Sequence, residues 1–282
     1  MNDNGAEPHQ ATFGRVALVT GAARGIGAAT VEELCRRGYR VTALDVCSGG
    51  VVPPGIGYPL ATAADLAQVT ERVNAQHPGQ ILTIQSDVRD REALDMAVNS
   101  TLERFGRLDA VVAAAGVVVG GMPQWEMPLD HLETLFAINV MGVWNTAAAT
   151  VPTLLAQPDP TGCRFVAVTS AAAERGLPKL TGYAASKHAV VGLVRGLAAD
   201  LVGTGITAVA VSPGSTRTPM LGATADLYDT SPEELGAHQS LRRLLEPSEI
   251  AATIALCCSP EGAALNGSVI RADGGFRLAS PG

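Results

Sequence analysis

"LVTGAARGIG", residues 18–27, sets three glycines between an apolar run and a helix-like stretch. Side chains are excluded at Gly21, Gly25 and Gly27, so something comes close to the backbone there. A tight turn between a strand and a helix is one explanation. A phosphate group on the helix N-terminus, attracted by free N–H groups and the positive end of the helix dipole, is the other. On the second reading Gly21 permits the turn, Gly25 lets the backbone approach a pyrophosphate, and Gly27 lets the helix pack closely on the sheet. The spacing G-x-x-x-G-x-G departs from the commoner G-x-G-x-x-G, and alone it does not separate the two explanations.

The rest of the chain supplies the context. RVALVT (15–20), YRVTALD (39–45), ILTIQSD (81–87), LDAVVAAAG (108–116), CRFVAVTS (163–170), ITAVAVSP (206–213) and SVIRADG (268–274) read as strands. They are almost continuously apolar, as strands covered on both faces are. Helical spacing occupies 26–37, 63–76, 91–105, 129–156, 181–202 and 247–258. The alternation predicts an α/β fold, a Rossmann-type doubly wound seven-stranded parallel sheet with helices on both faces. One domain over 14–282 is expected, behind a loosely ordered tail at 1–13. Two stretches read as irregular: an insertion at 46–62 and a segment at about 214–245. Ligands of such sheets sit at the carboxyl ends of the strands, so the residues just after each strand matter most.

Composition excludes several classes. The 282 residues carry a net charge of −7 with no Lys/Arg-rich run, which argues against a nucleic-acid or anionic-membrane partner. The N-terminal stretch is polar and does not read as a signal peptide, and no uninterrupted apolar run reaches membrane-spanning length. The cysteines (Cys35, Cys47, Cys163, Cys257, Cys258) have no metal-ligand spacing; reduced, mostly buried thiols in the cytoplasm are expected, and no metal.

The second strand ends at Asp45, placed to accept hydrogen bonds from adenosine ribose hydroxyls and to repel a 2′-phosphate. That favours NAD(H) over NADP(H), although Arg24 in the glycine loop would suit a phosphate. Asp87, ending the third strand, is placed to accept from an adenine amino group, with Val88 beside it. Asp87 also suits the N-cap of the helix at 91–105.

At the other end of such a ligand, Tyr183 and Lys187 stand as Y-A-A-S-K on one helix face. A tyrosine works as an acid/base near neutrality only if its pKa falls by about 3 units, roughly 4 kcal/mol of differential interaction. A neighbouring ammonium and an oxidised nicotinamide are two cations able to supply it. Ser170, ending the fifth strand, is placed to hold a substrate oxygen beside the phenol. Asn139 stands mid-helix, where an amide is unfavourable unless it is used. Fixing a water that connects Lys187 to solvent would be such a use.

Taken together these motifs resemble the short-chain dehydrogenase/reductase family, in its single-domain NAD-dependent branch. The resemblance covers 14–276 and is carried by T-G-A-A-R-G-I-G (20–27), D-V (87–88), Asn139, Ser170, Y-A-A-S-K (183–187) and P-G-S-T-R-T (213–218). It implies Tyr183 as general acid/base, Lys187 orienting the ribose and lowering the Tyr183 pKa, Ser170 polarising the substrate oxygen and Asn139 completing a relay. It also implies cofactor contacts from Ile26, Val46, Thr169, Pro213, Gly214, Thr216 and Thr218. Where the family shows N-N-A-G, residues 113–116 read A-A-A-G. Ala113 and Ala114 offer no side-chain contact, which leaves Ala114, Ala115 and Gly116 their backbone.

The stretch from Val46 to the helix at 63, containing YPLATAADL, is similar to the carveol-dehydrogenase-like subgroup associated with the redox cofactor mycofactocin. That resemblance implies a nicotinamide that stays bound between turnovers, with the insertion lying over its adenosine half. A segment at 217–245 rich in Met, Leu and Tyr (Met220, Leu221, Leu227, Tyr228, Leu235, Leu241, Leu244, Leu245) is expected to cover a small apolar alcohol or ketone. Ala171–Ala173, Val117–Val119 and Leu177 would add walls, and Arg217, Arg242 and Arg243 read as surface charges. Small residues along 181–202 suit close helix packing, and the resemblance points to a homotetramer. The expected activity is interconversion of a secondary alcohol and a ketone by hydride transfer. The alternatives are a catalytically silent NAD-binding regulatory or scaffold protein, and a sugar-nucleotide epimerase, which would need a larger C-terminal substrate domain.

Overall fold

Val16–Val19 has no polar side, and both sides are used: Val16 and Leu18 enter one apolar cluster, Ala17 and Val19 the opposite one. Each of the four is at most 1% exposed. Helices therefore cover both faces of the strand, and burial of each larger side chain contributes roughly 1.5–3 kcal/mol.

The structure, a computed structural model, describes residues 14–277. The expected tail at 1–13 and the end of the chain beyond 277 lie outside the described residues. In chain order the main elements are β1 (Val16–Thr20), α1 (Gly25–Arg36), β2 (Arg40–Asp45), α2 (Ala63–Gln76), β3 (Ile81–Gln85), α3 (Arg91–Phe105), β4 (Ala110–Ala113), α4 (Leu129–Leu135), α5 (Met141–Leu155), β5 (Arg164–Val168), α6 (Thr181–Asp200), β6 (Thr207–Pro213), α7 (Pro219–Leu227), α8 (Pro232–Gly236), α9 (Pro247–Cys258) and β7 (Val269–Ala272). The seven strands order as β3-β2-β1-β4-β5-β6-β7, every neighbouring pair parallel. The chain winds outward from β1 to β3, returns beside β1 at β4, and winds the other way. That reversal opens a crevice at the carboxyl ends of β1 and β4. α1, α2 and α9 contribute to one apolar cluster, α3, α5 and α6 to the other. A third surrounds Val117–Val119, Leu135, Leu180 and Tyr183.

The expected sheet and six long helical stretches are present, with differences that bear on function. The stretch 129–156 is not one α-helix. A π-helical turn, Phe136–Val140, separates α4 from α5 and carries Asn139, with Met141 N–H donating to the Phe136 carbonyl. By length and mean hydropathy (1.2) Leu129–Leu155 passes as a membrane span, but 56% of that window is buried inside the protein. The segment at 214–245 is less irregular than its sequence reads, since it holds α7 and α8. Thr218 caps α7 by accepting from Leu221 N, and Ser231 caps α8 in a capping box with Glu234.

Candidate active site

A cavity of about 920 Å³ runs along the carboxyl ends of the strands, from Asp45 and Asp87 at one end to Ser170 and Tyr183 at the other. Its middle is the glycine loop. Gly21 has φ +67°, and a Cβ there would lie 2.7 Å from the Ala115 backbone, so strand β4's exit excludes the side chain. At Gly27 a Cβ would fall 2.0 Å from the Gly21 carbonyl oxygen; the helix packs on the loop's own backbone rather than on the sheet. Gly25, with φ +55°, meets only the Thr218 side chain, at 3.0 Å, and lines the cavity beside Ile26. All three line the cavity, but the absent side chains of Gly21 and Gly27 answer to the protein's own backbone, whereas that of Gly25 does not. The residue before α1, Arg24, gives no side-chain cap, so the first N–H groups of the helix keep no side-chain acceptor.

The loop after β4 is fixed from β1. Thr20 Oγ1 accepts from Ala114 N at 3.1 Å and Ala115 N at 3.2 Å. Of the backbone groups that the A-A-A-G stretch was expected to offer a ligand, the N–H groups of Ala114 and Ala115 are therefore already taken, although both residues and Gly116 line the cavity. Asp45 accepts from Ala23 N and Cys47 N, both at 3.1 Å, which aims its carboxylate along the cavity beside Val46.

Several other expected residues stand elsewhere or are otherwise engaged. Arg24 lines the crevice, but its guanidinium has protein partners there: it pairs with Asp65 of α2 at 2.7 Å and donates to the Pro59 carbonyl. That hydrogen bond, with those from Thr62, holds the Asp65 carboxyl down at about 2 against the effect of burial. Asp87 lies two residues past β3 and does not cap α3, a task Asp90 performs through Ala93 N. Its carboxylate is held by Arg89 instead; burial raises its pKa, and the Arg89 hydrogen bonds and charge bring it below the usual value. Val88 follows, against Gly142, with its carbonyl accepting from Asn145. Thr169 Oγ1 donates to the Val211 carbonyl, Thr216 to that of Gly214 and Thr218 to that of Thr216, although all three residues line the cavity together with Pro213 and Gly214.

At the inner end, Ser170 lies two residues beyond β5, accepts from Ala172 N and lines the cavity beside Tyr183. Lys187, one turn after Tyr183 on α6, is 4% exposed. Its Nζ donates to the Val168 carbonyl at 3.1 Å and stands 5.9 Å from the centroid of the Tyr183 ring. Burial lowers its pKa to about 8. Burial likewise raises that of Tyr183, opposed by the Ser170 hydroxyl. The expected depression of the phenol is thus not a property of the Tyr183–Lys187 pair by itself.

Asn139 is fully buried and its amide is used differently from the expected water relay. Oδ1 accepts from Val117 N at 2.8 Å, while Nδ2 donates to the Val117 carbonyl and to Ser186 Oγ, each at 3.0 Å. The side chain ties the exit of β4 to α6. Gly116 is squeezed between, its absent Cβ 3.2 Å from Asn139 Oδ1 and 3.3 Å from Lys187 Nζ.

The insertion at 46–62 reaches further than the adenosine half. Ser48 and Thr62 bridge its base, Gly55 packs against His131 and Val119, and Tyr58 Oη accepts from Val118 N near the catalytic candidates. Val51, Pro53 and Tyr58 line the cavity and were not foreseen as site residues; nor were His238 and Phe276 at the outer rim, whose rings pair at 6.5 Å. A proline-rich loop gives no periodic signal by which to place Tyr58. Of the covering residues, Met220, Leu221, Tyr228 and Leu235 line the cavity. Leu227 packs behind in the neighbouring apolar cluster. Leu245 is buried in the apolar cluster shared by α1, α2 and α9, Leu244 is buried against Gly236, and Leu241 is exposed. Arg217 and Arg243 pair with surface glutamates as expected.

Residues 58–277 match the family model described as enoyl-(acyl carrier protein) reductase. An uncharacterized oxidoreductase of Mycobacterium tuberculosis is 37% identical over 277 residues, 93% of this chain and 96% of that protein. The (−)-trans-carveol dehydrogenase of Rhodococcus erythropolis is 37% identical over 209 residues, 74% of this chain and 73% of that one. Among solved structures, carveol dehydrogenase from Mycobacterium avium in complex with NAD superposes with a TM-score of 0.86 at 31% identity, covering 94% and 98% of the two chains. The chain belongs to the short-chain dehydrogenase/reductase family and is an oxidoreductase of that type.

Proposed function

We propose that this protein is an NAD-dependent dehydrogenase/reductase that interconverts a small apolar secondary alcohol and its ketone. The observation that carries the reading is that Ser170 and Tyr183, with Lys187 Nζ 5.9 Å from the Tyr183 ring, line one cavity with Gly25 and Asp45. The cavity residues fit a dinucleotide: the glycine loop gives close approach to α1's uncapped N–H groups, and Asp45 offers an acceptor for ribose hydroxyls while repelling a 2′-phosphate. The Mycobacterium avium relative was solved with NAD.

Bound nicotinamide supplies or accepts the hydride. The protein's part is proton transfer and positioning. Ser170 holds the substrate oxygen; Tyr183 takes the hydroxyl proton during oxidation and returns it during reduction. Burial keeps Tyr183 protonated at neutral pH, so a positive charge brought beside the ring is needed before it serves as a base. Asp87 and Val88 would border the adenine.

Slow nicotinamide release follows from the insertion's attachments on both sides of the cavity. A homotetramer is supported by Met141 and Trp144, half-exposed on α5, and by open space over Gly192 and Gly196 of α6. A single catalytic domain over 14–282 and a cytoplasmic location complete the reading; the five unpaired thiols support the latter.

The test is a panel of secondary alcohols and ketones, read by NADH absorbance and with an artificial electron acceptor, beside nucleotide extracted from protein purified without added cofactor. Turnover by the wild type and none by Tyr183→Phe is expected. Equal activity of the two proteins, or none with any substrate in either assay, would sink the proposal.

A further inference from the structure

Tyr58, inside the insertion, has no part in the reaction outlined above. Its ring packs with the apolar cluster that contains Val117, Leu135, Leu180 and Tyr183, and it lines the same cavity as Ser170. Its hydroxyl oxygen accepts the Val118 N–H at 3.1 Å. Among the described residues no acceptor takes the hydroxyl's own proton. Burial pushes its pKa up to about 12, so the group stays a donor across the neutral range.

A carbonyl oxygen has two lone pairs, and Ser170 and Tyr183 are placed to fill both. Tyr58 is anchored on a different segment, after β4, and faces a cavity otherwise walled here by Val117, Leu177, Leu180 and Met220. In such surroundings a donor without an acceptor is unfavourable, so a ligand that supplies one is preferred. We propose that Tyr58 is a specificity-determining residue that donates to a second oxygen of the substrate. The preferred substrates are then secondary alcohols or ketones bearing another hydroxyl, carbonyl or ether oxygen on an apolar skeleton. This rests on the dehydrogenase reading of the site.

The test compares cyclohexanol with the trans-cyclohexane-1,2-, 1,3- and 1,4-diols, using the full-length protein with its nicotinamide and the Tyr58→Phe variant. At least one diol is expected to exceed cyclohexanol in kcat/KM with the wild type. Y58F should lower that diol's kcat/KM about fivefold or more, mainly through KM, and leave cyclohexanol within about twofold. Unchanged cyclohexanol turnover also shows that the variant is folded. An equal loss on every substrate, no diol preference in the wild type, or a loss explained by weaker NADH binding would overturn the proposal. If neither protein turns over any alcohol, the dehydrogenase reading fails separately. Quenching of bound-NADH fluorescence by the diols then decides Tyr58: binding weakened only in Y58F supports the role, and equal binding removes it.

Discussion

Asn139 grips Val117 at both ends of one residue, accepting its N–H at 2.8 Å and donating to its carbonyl at 3.0 Å. Such a pairing mimics a strand ladder at the point where β4 has run out. The π-helical turn puts the amide there, and the remaining Nδ2 proton goes to Ser186 on the helix that carries Tyr183 and Lys187. Asn139→Ala would leave both Val117 groups buried without partners. We expect a loss of about 2–4 kcal/mol in denaturant unfolding, together with a fall in kcat as α6 loses its tie to β4. A variant of unchanged stability would show that the brace is dispensable.

Thr20 makes a similar tie from β1 to the same segment after β4. Thr20→Val keeps the shape of the side chain and removes the acceptor shared by Ala114 and Ala115. The expected cost is about 1–3 kcal/mol, read from the urea midpoint, whereas Thr20→Ser restores most of it. Equal stability of the valine and serine variants would contradict the assignment.

The glycines separate folding from binding. A methyl at Gly27 would fall 2.0 Å from a backbone oxygen that cannot move aside, so Gly27→Ala should yield little folded protein. Gly25→Ala meets only the end of a threonine side chain. Its positive φ costs about 1 kcal/mol, so folding should survive while NADH affinity drops at least tenfold by fluorescence titration. Equal NADH affinity in Gly25→Ala and wild type would remove this residue from the ligand's path.

Lys187 gives a pH signature. Its pKa is lower in the folded chain, about 8, than the ordinary 10.5. Between those values the unfolded chain binds more protons, so wild-type stability rises with pH across that window and the charge is a burden below it. Lys187→Met should abolish turnover yet raise stability at pH 7 by up to about 3 kcal/mol. The gap between the two proteins should close from pH 8 to 10.5 in thermal melts. A gap independent of pH would mean that the amine is not desolvated.

Arg24→Ala probes the insertion. The partly exposed pair with Asp65 contributes about 0.5–1 kcal/mol, so the melting temperature should hardly move. Release of bound NADH, followed by displacement in stopped flow, should quicken about two- to fivefold. An unaltered release rate would separate the insertion from cofactor retention.

How much of this was legible in the chain varies with the physical signal. Continuous apolar strands and amphipathic helices fixed the sheet, because burial on two faces leaves a pattern that no loop imitates. Gly25, Asp45, Ser170, Tyr183 and Lys187 lie where strand ends and helical spacing place them. The partners of Asp87, Arg24 and Asn139 were not legible, since they depend on contacts across the fold: Arg89 and Asp90 compete for the roles given to Asp87, and Asp65 reaches Arg24 from a helix forty-one residues away. Tyr58 was invisible for a related reason, as Gly, Pro and small residues around it carry no periodicity. Leu244 and Leu245 were misplaced because hydrophobicity alone does not say which of two apolar compartments a side chain enters.

The bridge between Ser48 and Thr62 closes the base of the excursion, while its far side rests on Val118, Val119 and His131. Nothing between Ser48 and Thr62 contributes a strand or a helix to the sheet. Replacing its interior, with those three resting points kept, therefore offers a way to redraw the entrance of the cavity while the seven-stranded sheet goes unaltered, a division of labour that suits grafting between relatives.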